Sequence, residues 1–215
     1  MSAWVFVDLD GTLVNSAPGI FAALRHALAG VGAPEADDDA LRLCVGPPLH
    51  ESLGRLGVPE PHRARARDLY RAHYDDGGLF DALVFEGAHE MLERLRARGY
   101  RLALATAKPL PPAQRITAHF GFQPHFDAEF GPGLDGTLGD KRDLLAHAVK
   151  ATGADPARSY MLGDRLHDAL AASANGVAPI GALWGFGGRE ELAAHDVAHF
   201  AAAPLDVPPL VEDRA

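Results

Sequence analysis

The sequence has a single cysteine, Cys44, among 215 residues, so a framework of internal disulfides is excluded and a cysteine metal site is disfavoured. No apolar run approaches the roughly 18 residues that a membrane helix needs. Met1 leads directly into an apolar strand pattern, without the basic segment and cleavage site of a signal peptide. These absences predict a cytoplasmic protein with no membrane segment.

Positive charge is also scarce in the sequence. The chain carries 20 basic and 29 acidic side chains, a net charge of −9 with neutral histidines. This balance argues against a surface for nucleic acid or for anionic membranes. An anionic substrate would therefore need local positive charge or a bound metal ion to draw it in.

The apolar pattern predicts an α/β fold with an all-helical insert. A strand pattern opens the chain, and strand and helix patterns alternate from Gly87 onward, which is typical of a Rossmann-like parallel sheet with helices on both faces. Residues 15–80 carry only helical patterns. We therefore expect a core formed by residues 1–14 and 81–215, and a small helical domain formed by residues 15–80. The predicted core strands lie at residues 3–7, 100–105, 126–130, 159–162, 179–183 and 197–200.

Two carboxylates, Asp8 and Asp10, stand where the first buried strand should end, and Gly11 allows the chain to turn away sharply. Side chains two residues apart on an extended segment project to the same side. Both carboxylates are therefore expected to face one pocket, where two like charges stay ionised only with a cation nearby. Alone, this pattern is equally typical of a turn with solvated carboxylates.

Other polar residues also gather where strands end or helices begin. Thr106 and Asp164 follow predicted strands, and Lys141 opens a predicted helix. Taken singly, the threonine is more typical of a helix cap and the lysine of a solvated surface residue, while the aspartate fits a capping turn equally well. Together, in order and at strand ends, they favour a site, because ligands of open α/β sheets bind outside the carboxyl ends of the strands.

The series Asp8-x-Asp10-Gly-Thr-Leu, Thr106, Lys141 and Gly163-Asp164-x-x-x-Asp168 resembles the four-motif signature of haloacid dehalogenase-superfamily phosphatases. The resemblance extends from about Ala3 to Phe200, and the helical insert resembles the mobile cap of the phosphoglycolate phosphatase-like branch. It implies a catalytic core with a helical cap domain.

The motifs imply a role for each residue. Asp8 is the candidate nucleophile, since a carboxylate attacking phosphorus would form an aspartyl-phosphate. Asp10 would protonate the leaving alkoxide and then deprotonate the attacking water. Thr106 would hold phosphate oxygens, and Lys141 would supply positive charge to the transition state.

The same motifs imply a Mg²⁺ site, because magnesium takes oxygen ligands and keeps several waters. Asp8, Asp164 and the backbone carbonyl of Asp10 are the expected ligands, and Asp168 lies one helical turn further on, where it would orient a metal-bound water or a ligand. The predicted metal residues are Asp8, Asp10, Asp164 and Asp168. The predicted substrate-binding residues are Gly11, Thr106, Ala107, Lys108, Lys141 and, in the insert, Gly46 and Arg55.

These residues predict a magnesium-dependent phosphatase acting on a small, phosphoglycolate-like phosphate monoester, as a monomer or homodimer. The alternatives are a 5′-nucleotidase, a sugar-phosphate phosphomutase and, less favoured, a non-catalytic module that binds a phosphorylated ligand. A dehalogenase is disfavoured because halide displacement does not need Asp10. A phosphonatase is rejected because residues 15–80 contain no lysine to form an imine.

Substrate identity is the least constrained expectation, because parts of the motifs depart from the phosphoglycolate phosphatase-like pattern. Ala107 stands where many members carry asparagine, and Lys141-Arg142 replaces a common Lys-Pro pair. The insert stretch 44–49 resembles relatives described as 5′-nucleotidases or as hydrolases. Its Gly46-Pro47-Pro48 turn is expected to face the active site when the cap closes.

Two further stretches imitate functional motifs. Asp135-Gly136-Thr137-Leu138 repeats letters of the first motif, but it follows glycine and proline instead of a strand, which predicts a turn. Gly185-Phe186-Gly187-Gly188 follows a strand but has Glu190 where a dinucleotide-binding loop needs its last glycine, so that interpretation fails.

Overall fold

The computed structural model describes residues 2–195 and 197–212. They form two compact units, one made of the residues up to Val14 and from Val84 onward, the other of residues 15–83. The sequence placed the end of the second unit at Phe80. The compact helical unit extends to Leu83, and a hydrogen bond within it, from the Gly19 amide to the Asp81 carbonyl (3.0 Å), joins the residues just beyond Phe80 to it. The predicted domain boundaries stay predictions.

The larger unit is built on a six-stranded sheet in the order β5-β4-β1-β6-β7-β8, and every neighbouring pair is parallel. The strands of the chain are β1 (Trp4–Val7), β2 (Val14–Asn15), β3 (Leu83–Val84), β4 (Arg101–Ala105), β5 (Ala128–Phe130), β6 (Tyr160–Gly163), β7 (Ala178–Ala182) and β8 (His199–Ala201). The short strands β2 and β3 stand where the chain leaves this unit and returns to it. The predicted Rossmann-like parallel sheet is thus confirmed.

The described chain also contains α-helices. They are α1 (Ala17–Gly30), α2 (Asp38–Arg42), α3 (Leu49–Arg55), α4 (Glu60–Asp75), α5 (Ala88–Ala97), α6 (Leu110–His119), α7 (Lys141–Thr152), α8 (Leu166–Ala174) and α9 (Arg189–Ala193). The first four belong to the helical unit, where α1 packs on α4. Among the described residues, no helix combines the length and the apolar character that crossing a membrane requires.

Strand β1 lies in the middle of the core, and all four of its side chains are buried. Trp4 and Phe6 pack with α7 and α8 through Leu145 and Ala172, while Val5 and Val7 are buried on the opposite face. A strand covered on both faces needs a continuous apolar run, and the sequence has one here.

The strand order places the carboxyl ends of β1 and β6 side by side where the connections change direction. The chain builds β4 and β5 on one side of β1, then crosses to β6, β7 and β8 on the other. The amide of Asp8, just beyond β1, donates to the carbonyl of Leu162 in β6 (2.9 Å). Open α/β sheets bind their ligands at such a switch point, so the sheet itself locates the candidate site.

Candidate active site

Each of the two carboxylates after β1 is paired with a different buried lysine. Lys141 Nζ lies 3.0 Å from Asp8 Oδ1, and Lys108 Nζ lies 3.1 Å from Asp10 Oδ2. The two lysine side chains are only 5% and 7% exposed. The structure thus gives Asp10 a cationic partner that the sequence did not assign to it.

Lys141, the first residue of α7, links β1 to the first turn of α8. Its Nζ also lies 2.5 Å from Asp168 Oδ1, while the Arg165 amide donates to Asp168 Oδ2 (3.0 Å). Burial alone would lower the pKa of Lys141, but Asp168 and Asp8 raise it overall. The lysine therefore stays charged between two carboxylates, and it forms an ion pair with Oδ1 of each of them.

Asp164, directly after β6, is fully buried and only half satisfied. Its Oδ2 accepts a hydrogen bond from the Phe186 amide (2.7 Å), whereas its Oδ1 has no hydrogen-bond partner among the described residues. Burial and the nearby charges of Asp168 and Asp8 raise the pKa of Asp164 well above its usual range. A buried carboxylate oxygen without a donor is costly unless a cation binds it.

The acidic residues suit a hard divalent cation. Carboxylate oxygens of Asp8, Asp164 and Asp168 lie within 4.8 Å of one another. Burial raises the pKa of Asp8 to about 6, with Asp168 and Asp10 adding to the rise and Lys141 opposing it. With Asp10, four carboxylates face two lysines, an excess of negative charge that oxygen-seeking Mg²⁺ or Ca²⁺ would neutralise. Both oxygens of Asp168 lie against nitrogens, Oδ1 beside Lys141 Nζ and Oδ2 beside the Arg165 amide, so Asp8 and Asp164 are the better ligands.

Thr106 and Ala107 follow β4 at the same edge of the sheet. The buried Thr106 hydroxyl oxygen accepts from the Lys108 amide (3.2 Å), and the Ala107 amide has no hydrogen-bond partner within the described chain. At the start of α6 the Leu110 amide donates to the Pro132 carbonyl (2.9 Å), so the amide of Ala107, a predicted substrate-binding residue, is the candidate donor.

Gly11 is required by both conformation and space. Its φ of +81° is unfavourable for other residues, and a Cβ at this position would lie 2.5 Å from the Asp164 carboxyl carbon. Its close approach confines the space beside the Asp164 carboxylate. Gly46 and Arg55 lie in the helical unit, where an Arg55 guanidinium nitrogen donates to the Leu43 carbonyl (3.4 Å), and their roles in binding stay predictions.

The glycine-rich stretch after β7 contacts Asp164, which the sequence did not predict. Phe186 binds Asp164 through its amide, and a Cβ on Gly185 would lie 2.5 Å from Asp164 Oδ2. Trp184 Nε1 donates to the carbonyl of Thr12 (3.0 Å), which joins this stretch to the first motif. Its position at the carboxyl end of a strand was the available signal. The stretch that repeats letters of the first motif, residues 135–138, is an exposed turn as predicted.

We expect a Lys141→Met substitution to lower the free energy of unfolding by about 3 kcal/mol in metal-free buffer, because it leaves Asp8 and Asp168 buried without their cation. Urea denaturation measures this. Lys150→Met, on the exposed side of the same helix, is the matched control and should change stability by less than about 0.5 kcal/mol. Equal effects of the two substitutions would show that the buried ion pairs contribute no more to the free energy of unfolding than an exposed lysine does.

Comparison with known proteins matches residues 5–182 to the family model described as haloacid dehalogenase-like hydrolase. A 5′-nucleotidase of Pseudomonas aeruginosa is 41% identical over 199 residues, which cover 92% of this chain and 90% of that protein. A phosphoglycolate phosphatase of Caulobacter vibrioides is 34% identical over 220 residues, with 96% and 89% covered.

The backbone also matches solved structures. The structure of Protein Tyrosine Kinase A (PtkA) of Mycobacterium tuberculosis superposes with a TM-score of 0.85 at 39% identity, and 97% of each chain is covered. The similarity therefore extends over the sheet and the helical insert together.

Proposed function

The chain belongs to the haloacid dehalogenase-like hydrolases, and within this family we propose that it is a magnesium-dependent phosphatase which hydrolyses a small phosphate monoester through a phosphoryl group carried on Asp8. The resemblance seen in the sequence is thereby confirmed at the level of the family. One observation carries the proposal: at the sheet's switch point, Asp8 and Asp10 each hold a lysine, and Asp164 keeps a buried oxygen without a donor.

In the first step a carboxylate oxygen of Asp8 attacks phosphorus and the bond to the leaving oxygen breaks. Asp10 donates a proton to that oxygen, so that an alcohol departs. Lys108 pairs with Asp10 Oδ2. The other oxygen, Oδ1, is buried and has no hydrogen-bond partner within the described chain, so Oδ1 is the oxygen that exchanges the proton.

In the second step water attacks the phosphorus bound to Asp8, Asp10 takes the water's proton, and the bond to Asp8 breaks. Inorganic phosphate leaves and Asp10 is again protonated. The same residue thus serves as acid and then as base, so its position must persist through both steps.

Charge stabilisation comes from several groups. Lys141 and the donors at Thr106 and Ala107 would bind the oxygens around phosphorus as negative charge spreads over them. Asp8 and Asp164, with the backbone carbonyl of Asp10, would hold the Mg²⁺, and Asp168 would keep Lys141 in place. When bound, the cation offsets the repulsion between the carboxylates and the phosphate.

Two substrate classes are proposed, each supported by a relative. The 5′-nucleotidase relative supports nucleoside monophosphates, and the phosphoglycolate phosphatase relative supports small acid phosphates such as phosphoglycolate. A screen of phosphate release with both classes, sugar phosphates and a generic aryl phosphate would rank them. Release from no ester, with or without Mg²⁺, would overturn the phosphatase proposal and favour a binding module. Conversion of a sugar phosphate to its isomer without phosphate release would indicate a phosphomutase.

Specificity is proposed to come from the helical unit acting as a cap, since the core groups bind only the phosphoryl group and the metal. Changing Pro47 and Arg55 to alanine should alter the ranking of substrates while aryl-phosphate hydrolysis stays within about tenfold, or about 1.4 kcal/mol. Arg67→Ala, whose guanidinium pairs with the adjacent Asp68, is the control. A proportional loss on all substrates would mean that the turn only supports the fold.

The cytoplasmic location and the monomeric or dimeric state stay predictions.

A further inference from the structure

Residues 184–191, here called the glycine segment, lie against the turn that carries Asp164. The segment runs from the end of β7 into α9. It approaches the turn at two places, through the Phe186 amide on Asp164 Oδ2 and through the Glu191 carboxylate further along. These two contacts hold opposite ends of the same short turn.

The first contact leaves no space between the two backbones. Gly187 lies so close to the Asp164 carbonyl that any side chain there would collide with it, and a Cβ would also lie 3.2 Å from the Arg165 side chain. Glycine at 185 and 187 lets the Phe186 amide reach Asp164 Oδ2. The oxygen left for a cation is therefore Oδ1, the one without a hydrogen-bond partner among the described residues.

Glu191 makes the second contact with two donors of the turn. Its Oε1 accepts from the Arg165 guanidinium (2.9 Å) and from the Leu166 amide (2.9 Å). The Arg165 side chain is 6% exposed and the Glu191 side chain 26%, so this ion pair is partly shielded from solvent. Burial would raise the pKa of Glu191, but the Leu166 and Arg165 hydrogen bonds lower it overall, and the residue stays ionised.

We propose that Glu191 is a positioning residue for the divalent cation: by fixing Arg165 and Leu166 it holds the preceding Asp164 with Oδ1 turned to the cation site. This rests on the proposed function, because it concerns the cation of that reaction. The turn also carries the Arg165 amide that binds Asp168, so Glu191 indirectly secures the partner of Lys141 as well. Groups that orient metal ligands in this way typically contribute about 10- to 100-fold to affinity.

The test is direct binding of Mn²⁺, followed by electron paramagnetic resonance of the free ion, on the full chain without substrate. Glu191→Ala should weaken Mn²⁺ binding by about 10- to 100-fold. Glu191→Gln keeps an acceptor for the Leu166 amide but loses the charge that pairs with Arg165, so an intermediate value is expected. Glu190→Ala, an exposed carboxylate on the same helix, is the matched control and should bind within about twofold of wild type.

A role confined to stability gives a different pattern. It would lower the melting temperature of metal-free Glu191→Ala and leave the affinity of the folded protein for Mn²⁺ unchanged, which would overturn the inference. Should the alanine variant fail to fold, the glutamine variant decides between the same two outcomes. Wild-type affinity in a folded Glu191 variant would overturn this inference alone, whereas a wild-type protein that binds no divalent cation would overturn the proposed function together with it.

Discussion

An Asp8→Asn variant is expected to release phosphate at least about 10,000-fold more slowly than the wild-type protein, which is the scale of loss when an enzyme's nucleophile is removed. An amide cannot attack phosphorus as a carboxylate does. The substitution also removes the charge that Lys141 pairs with, 3.0 Å away. Steady-state release from an aryl phosphate measures the effect.

The chain offers a close control for this experiment. Asp135 begins the second Asp-Gly-Thr-Leu stretch, but it lies in an exposed turn where it accepts from the Thr137 amide (3.0 Å). Asp135→Asn should keep wild-type activity within about twofold, as expected for a surface position. Substantial hydrolysis by Asp8→Asn, once mass spectrometry has excluded deamidation, would place the nucleophile elsewhere.

Removal of divalent cations should lower activity at least about 100-fold, and added Mg²⁺ should restore it. Without the cation, the buried carboxylates around Asp8 and Asp164 would repel the phosphate that has to approach them. Ca²⁺ should inhibit, because its higher and looser coordination could let both oxygens of Asp8 bind the metal and misalign the attack.

Asp164→Asn should reproduce the loss with Mg²⁺ present, since it removes the charge of the buried ligand. Asp143→Asn, an exposed carboxylate on α7, should not change the requirement. Full activity in excess chelator would contradict a metal-dependent reaction whatever the variants do.

The sequence predicted the site residues best where they stand at the end of a strand or the start of a helix. Asp8 and Asp164 follow apolar strands, and in a parallel sheet the carboxyl ends of the strands meet at one edge. Lys141 stands at the first position of α7 as expected. Order along the chain was enough to predict this neighbourhood, because the switch point of the sheet brings these ends together.

The sequence did not predict which side chains pair with one another, because these pairs depend on distances across the fold. The predicted contact of Lys108 with substrate stays a prediction, and the sequence did not show that its amine pairs with Asp10. Glu191 was considered in no role, and the glycines before it were judged only against a dinucleotide-binding pattern. Their contact with Asp164 depends on how closely two backbones approach, and local sequence does not state that. The Gly19–Asp81 hydrogen bond of the helical unit likewise joins residues far apart in the chain.

The most direct test of the account is to locate the phosphoryl group on the protein in an Asp10→Asn variant. An aryl leaving group needs no proton to depart, so the first step should survive in this variant, while the second step lacks its base. After an acid quench, peptide mass spectrometry should find phosphate on Asp8 as a hydroxylamine-sensitive acyl phosphate. Phosphate on another residue, or continued turnover with none on the protein, would contradict the account.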